Sequence, residues 1–263
     1  MGTVKTFQLG ISPLGQSPRK IYVYLPNGYQ NCDRTYPVLY MFDGHNLFFD
    51  KTATYGKCWG LKKYLDKTSI PLVVIGQDCN HTGDNRLLEY SPYRGRGNNW
   101  FPKEEVYGEF TAKWFAEVLK PYCEKKFRIY SDRDHVGIAG SSMGGLMSMY
   151  VISAYNSVYS KAACLSSAID TNYQALQKTI RTSPMSEDTR IYMDFGANEE
   201  RTKKAFARAI DAMLEISHLY EQKGCSVYPR VIVGGEHSEA TWEKAVPVFL
   251  EYLYPELYSE RKQ

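Results

Sequence analysis

Gly140, Ser142 and Gly144, in the stretch HVGIAGSSMGGLMSMY, form a Gly-X-Ser-X-Gly pattern with a second serine, Ser141, beside the first. Glycines crowd the passage from a strand to a helix for a few chemical reasons. A phosphate loop needs Gly-X4-Gly-Lys followed by Ser or Thr, and no lysine follows Gly144 or Gly145. A dinucleotide loop needs Gly-X-Gly-X2-Gly early in a βαβ unit, whereas the apolar run HVGIA reads as about the fifth strand of the chain. A nucleophile elbow needs small residues two before and two after an exposed serine, because strand and helix nearly touch there. That pattern is present, and Ser142 is the serine it exposes. Ser141 is then a small residue that the turn requires.

A serine hydroxyl is a weak nucleophile until a base takes its proton and an acid orients that base. In elbow-type hydrolases the three follow in the order Ser, acid, His. Only His218 and His237 lie after Ser142. His218 sits within an amphipathic helical pattern and reads as structural. His237, in VIVGGEHSEATW, follows the last strand and is the expected base. The acid should follow the preceding strand, in RIYMDFGANEE. Glu199 is the expected acid, with Asp194, still inside the strand, as the alternative. The oxyanion formed during attack needs two amides. The Met143 amide follows the nucleophile, and the His45 amide follows the strand that ends at Asp43-Gly44. The His45 side chain reads as a surface-loop histidine without a role.

These residues need a scaffold that brings their loops to one edge. TVKTFQLGIS and RKIYVYLP read as an antiparallel hairpin around a Gly/Pro/Ser turn. YPVLYMFDG, PLVVIGQD, HVGIAG, SKAACLSS, RIYMDFG and SVYPRVIVGG are near-continuous apolar runs, as buried parallel strands are. Helical patterns lie between them. Val106, Phe110, Trp114 and Val118 suggest one buried stripe, and Phe206, Ile210, Met213 and Tyr220 another, with Gly224 as a helix stop. The alternation predicts one α/β domain over residues 1–263, a mostly parallel sheet covered by helices on both faces. The long loop Cys79–Pro102 suits substrate contact through Arg86, Tyr90, Tyr93 and Trp100, joined by Trp59 and Trp242.

Composition narrows the class. Charged residues make up 23% of the 263, with a net charge of +3 in mixed-sign clusters, so no basic stripe for nucleic acid is present. The six cysteines are scattered, without metal spacing, which suits free thiols in a reducing compartment. Neither a signal sequence nor a membrane-length apolar run is seen, so the expectation is cytoplasmic, without a membrane partner. No metal and no cofactor is called for. A mean hydropathy of −0.43 argues against a lipase-like mouth.

PVLYMFDGHNLF, Trp59, GIAGSSMGGLMSMY, GANE and GGEHSEATW together resemble the esterase family related to esterase D. That family includes feruloyl, acetyl-xylan and siderophore esterases and the mycolyltransferases. The resemblance runs from about Arg19 to Leu253 and implies an α/β-hydrolase fold without a separate lid domain. It implies Ser142 as nucleophile, His237 as base and Glu199, in the GANE position, as acid. Many members read His-Gly where this chain has Asp43-Gly44, so feruloyl specificity is not carried over. The expected activity is a serine carboxylic-ester hydrolase, acting through an acyl-enzyme on short-chain or carbohydrate- or aryl-linked esters. Its partner is then a small-molecule or oligosaccharide ester. An acyltransferase would use the same triad, and a non-catalytic binding module would be expected to lose part of it.

Overall fold

The apolar runs bounded by Gly, Pro and Asp become strands, eight of them among the described residues. The computed structural model describes residues 1–11, 17–94 and 105–259. Its strands are β1 (Thr3–Leu9), β2 (Arg19–Leu25), β3 (Val38–Met41), β4 (Val73–Gln77), β5 (Val136–Ser141), β6 (Lys161–Leu165), β7 (Arg190–Gly196) and β8 (Ser226–Ile232). They form one sheet in the order β1-β2-β4-β3-β5-β6-β7-β8. β1 and β2 are the expected antiparallel hairpin, and β2 is also antiparallel to β4. Every pairing from β4 to β8 is parallel.

Successive strand residues face opposite sides of a sheet, and β3 shows how both sides are used. Val38, Tyr40 and Phe42 enter one apolar core, while Leu39 and Met41 enter the other. The first core is closed by α3 (Gly108–Trp114), α4 (Lys120–Lys126), α5 (Met143–Ala154), α6 (Tyr173–Thr182) and α7 (Lys203–Gln222). The second is closed by α1 (Leu61–Thr68) and α8 (Glu239–Leu253). A short helix, α2 (Asn85–Glu89), lies in the long loop. Helices on both faces of a mostly parallel sheet make this an α/β fold. No helix among the described residues is long and apolar enough to cross a membrane.

One expected stripe is displaced. Phe110 is 46% exposed and Val118 43%, whereas Thr111, Phe115, Leu119 and Cys123 are fully buried. Beyond α3, Phe115–Leu119 form a π turn in which the Lys120 amide bonds the Phe115 carbonyl. Pro121 follows. It has no N–H to give and its ring crowds the carbonyl four residues back, which opens the helix into the wider turn. The wider turn keeps every fourth residue in phase, one position along from the Phe110 series. In α7 the pattern reads correctly: Met213 and Tyr220 are buried, and Gly224 ends the helix at φ 84°.

Candidate active site

β4 lies on one side of β3 and β5 on the other. Loops leaving the carboxyl ends of β3 and β5 therefore diverge, and the crevice between them is where ligands enter α/β sheets. After β3 the chain turns at Asp43, with φ 56° and ψ 50°. Gly44 packs so closely that a Cβ there would lie 2.4 Å from the Gly76 carbonyl oxygen.

After β5, Ser142 has φ 57° and ψ −121°. A side chain rarely adopts that backbone, and holding it costs roughly 1–3 kcal/mol. A Cβ on Gly140 would lie 2.6 Å from the Gly144 carbonyl, and one on Gly144 would lie 3.0 Å from Phe42 Cβ, which accounts for both flanking glycines. The turn is fixed from both sides. The Ser142 amide donates to the Leu165 carbonyl at 3.0 Å, and its carbonyl accepts from the Leu146 and Ala168 amides at 3.1 Å each. Leu146, Met147, Met149 and Ile152 of α5 are fully buried. Each contributes roughly 1.5–3 kcal/mol of burial, more than enough to hold the strained turn.

His237 Nδ1 lies 2.7 Å from Glu199 Oε2. The imidazole is 45% exposed and the carboxylate 2%. Glu199 Oε1 accepts from the Ser166 hydroxyl and from the Gly196 amide, at 2.6 Å each. Ser166 Oγ in turn accepts from Trp242 Nε1 at 2.8 Å, and the Trp242 ring stands edge-on to His237 at 5.3 Å. One chain of contacts thus runs from Trp242 through Ser166 and Glu199 to His237. Asp194 takes a different place. It is buried, accepts from the Tyr192 hydroxyl at 2.8 Å and the Ser166 amide at 3.2 Å, and burial pushes its carboxyl up to about 7.

A cavity of about 350 Å³ opens here, with Ser142, His237, Asp43, Arg86, Glu239 and Trp242 on its walls. Met143 begins α5 and His45 lies in the first turn after β3. Helix starts leave their first amides without intrahelical partners, so both are placed to offer an N–H. Burial alone would push the Asp43 carboxyl up. The Arg86 guanidinium, clamped on it through Nε at 2.8 Å and an Nη at 2.7 Å, overrides that and holds it low. Burial raises the Glu239 carboxyl above its usual range, and the Asp43 charge pushes the same way.

The expected substrate contacts separate into two groups. Arg86 and Trp242 line the cavity. Tyr90 and Trp59 do not: both are buried, and the substrate role is corrected to packing. The Tyr90 hydroxyl accepts from the Asp43 amide at 3.2 Å and donates to Gln77 Oε1 at 2.8 Å, fixing the turn after β3. Trp59 packs behind Trp242, ring centroids 5.5 Å apart. Tyr93 donates to Thr179 Oγ1 at 2.7 Å. Trp100 lies outside the described residues. His45 is buried, not a surface-loop residue, and its imidazole meets Asp78 and Thr54. Sequence reasoning passed over Ser166, Glu239 and the group His45, Asp78, Cys79 and His81, the last four drawn together by the fold from two loops. Its one visible trace was the run Asp78-Cys79-Asn80-His81.

The strand order and the elbow after β5 define an α/β-hydrolase fold. Within that class the chain belongs to the "Putative esterase" family, which it matches over residues 12–253. It is 26% identical to protein YbbA of Bacillus subtilis strain 168 over 195 residues, 72% of each chain. Among solved structures it resembles a ferulic acid esterase with TM-score 0.68 and 19% identity, covering 96% of this chain and 98% of that one. It also resembles an IroE-like serine hydrolase from Shewanella oneidensis with TM-score 0.70 and 18% identity, covering 97% and 79%. The family supports ester hydrolysis, and these neighbours share the fold.

Proposed function

We propose that the protein is a serine esterase that hydrolyses short-chain or carbohydrate- or aryl-linked carboxylic esters through an acyl-enzyme. The observation that carries this is the aligned His237–Glu199 contact at 2.7 Å, on the wall of the cavity that also holds the strained Ser142. With Nδ1 engaged by Glu199, Nε2 of His237 is the nitrogen left to take the Ser142 proton. Ser142 Oγ then attacks the ester carbonyl, and the oxyanion rests on the Met143 and His45 amides. Collapse breaks the carbonyl–alkoxy bond, and His237 returns its proton to the leaving alcohol. Water, deprotonated by the same imidazole, cleaves the acyl–serine bond and releases the acid. The Glu199 carboxylate stabilises the imidazolium in both halves.

Cavity size and polar walls favour a small acyl group. Arg86 is tied to Asp43, and the expected platform residues Tyr90 and Trp59 are buried, so the aromatic wall of the cavity consists of the exposed Tyr55 and the largely buried Trp242. Scattered, unpaired cysteines suit the cytoplasm. The test is a set of initial rates on p-nitrophenyl acetate, a long-chain homologue, methyl ferulate and an acetylated xylo-oligosaccharide. Wild type should turn over the acetate faster than the long-chain ester, and Ser142→Ala should lower kcat by at least about 10³-fold. Equal rates for Ser142→Ala and wild type would sink the mechanism, and a long-chain preference would sink the substrate class.

A further inference from the structure

β3 and β4 are parallel neighbours, so their exits emerge side by side at the same edge of the sheet. One exit supplies His45, and the other supplies Asp78, Cys79 and His81. One ligand atom from each of these four lies within 4.8 Å of all the others. His81 Nε2 stands 2.8 Å from Asp78 Oδ1, and Cys79 Sγ stands 3.9 Å from His81 Nδ1. His45 Nδ1 approaches the same Asp78 oxygen at 2.7 Å. Yet this nitrogen is buried and makes no aligned hydrogen bond. Its partner nitrogen, Nε2, contacts Thr54 Oγ1 at 2.9 Å.

That arrangement is poor for either neutral tautomer. A proton on Nδ1 would point out of line with its acceptor. A proton on Nε2, donated to Thr54, would leave the buried Nδ1 lone pair directed past the carboxylate oxygen with no donor to meet it. A cation on the axis of that lone pair, bonded also to the carboxylate, gives it a partner. The Thr54 contact is also what a ligating histidine needs, since an oxygen on the second ring nitrogen fixes the tautomer and ring orientation.

We propose that His45 Nδ1, Asp78, Cys79 Sγ and His81 form a transition-metal site, and that Zn²⁺ is the ion they fit best. Two imidazoles, a thiolate and a carboxylate suit its borderline-soft character. Bond lengths of about 2.0–2.3 Å place tetrahedral ligand atoms roughly 3.3–3.8 Å apart. The observed contacts straddle that range, so side-chain adjustment at Asp78 and Cys79 suffices. Charge also balances: one carboxylate and one thiolate match a divalent ion, while Asp43 next door is already neutralised by Arg86. His81, 56% exposed, gives the ion an entry path. The bound ion joins the loop carrying the His45 amide to the loop after β4, on the wall of the cavity that holds Ser142.

The test is a titration of the purified full-length protein with Co²⁺, followed by competition with Zn²⁺ against a chromophoric chelator. Wild type should show a thiolate-to-cobalt charge-transfer absorption that saturates at one equivalent and disappears when Zn²⁺ is added. Cys79→Ser should lose that absorption. His81→Ala should bind Zn²⁺ at least about tenfold more weakly. Because the His81 side chain is largely in solvent, its removal leaves the core intact, and a cooperative melt checks this. Ser142→Ala should titrate like wild type, so the outcome is independent of the esterase mechanism. Absence of the absorption in wild type, or unchanged Zn²⁺ affinity in His81→Ala, overturns the site.

Discussion

His237 and His45 each bring Nδ1 to 2.7 Å from a carboxylate oxygen, one on Glu199 and the other on Asp78. In the first pair the carboxylate is buried and the imidazole half-exposed. In the second the imidazole is buried and the carboxylate partly exposed. The first contact is an aligned hydrogen bond, and its acid is held by two further donors, Ser166 and Gly196. The second is out of line. An imidazole that must exchange protons with substrate and water needs a free face and a fixed charge behind it, as His237 has. A buried imidazole with a misaligned neighbour is placed to hold something stationary.

The sharpest way to break this comparison is to neutralise each carboxylate and follow ester turnover. Glu199→Gln should lower kcat by about 10³–10⁴-fold, because the imidazolium loses its counter-charge and the correct tautomer is no longer enforced. Asp78→Asn should cost at least tenfold less when no metal is added. Equal losses would mean that the two pairs serve the reaction alike, and the distinction drawn from alignment and burial would fall.

Ser166 tests the support behind the first pair. Its hydroxyl accepts from Trp242 and donates to Glu199. Ser166→Ala leaves a buried indole N–H and one carboxylate oxygen short of a partner, about 1–3 kcal/mol. We expect kcat to fall roughly tenfold with KM little changed, together with a lower melting temperature. A lower melting temperature with an unchanged kcat would make Ser166 a structural residue only.

Asp194, inside β7, sharpens the contrast with Glu199 just beyond that strand. Burial pushes its folded pKa up to about 7 from an ordinary carboxylate value of 3.8. The folded state therefore holds a proton that the unfolded state releases between those values. The stabilising contribution is complete below about pH 4 and is lost as pH rises toward 7. Asparagine imitates the protonated acid. Urea midpoints should thus favour Asp194→Asn at pH 8 and converge with wild type near pH 4; parallel curves across that range would contradict the assignment. Activity at pH 8 should change far less than in Glu199→Gln.

Much of this was legible in the chain because the relevant signals are local. Each central strand is a short apolar run with its own stop, and Ser142 sits in a motif whose Gly140 is required by its close contact with Gly144 in the turn itself. Glu199 and His237 follow from chain order, since each lies on the first loop after a strand of the same sheet. The rest depended on what packs against what. Tyr90 and Trp59 carry amphipathic side chains that suit a ligand wall or a core equally, and only the positions of Gln77 and Trp242 decide for the core. The Asp78-Cys79-Asn80-His81 run gains its fourth member from β3 solely because β3 and β4 are neighbours. The network through Ser166 joins residues from three separate loops.

The helix between the long loop and β5 supplies the smallest effect. Its sequence offers two interleaved series, Phe110/Trp114/Val118 and Thr111/Phe115/Leu119, and the bulkier apolar residues of the first make it look like the buried one. The fold buries the second, keeping from the first only Trp114, whose indole N–H donates to the Gly10 carbonyl at 2.8 Å. Phe110→Ala should therefore change stability by no more than about 0.5 kcal/mol, as exposed positions do. Phe115→Ala should cost about 3–5 kcal/mol, because its ring fills space against Phe42 at 4.6 Å between centroids. Denaturant midpoints of the two variants, measured beside wild type, decide the phase of the helix. Comparable losses at both positions would return the stripe to the Phe110 series.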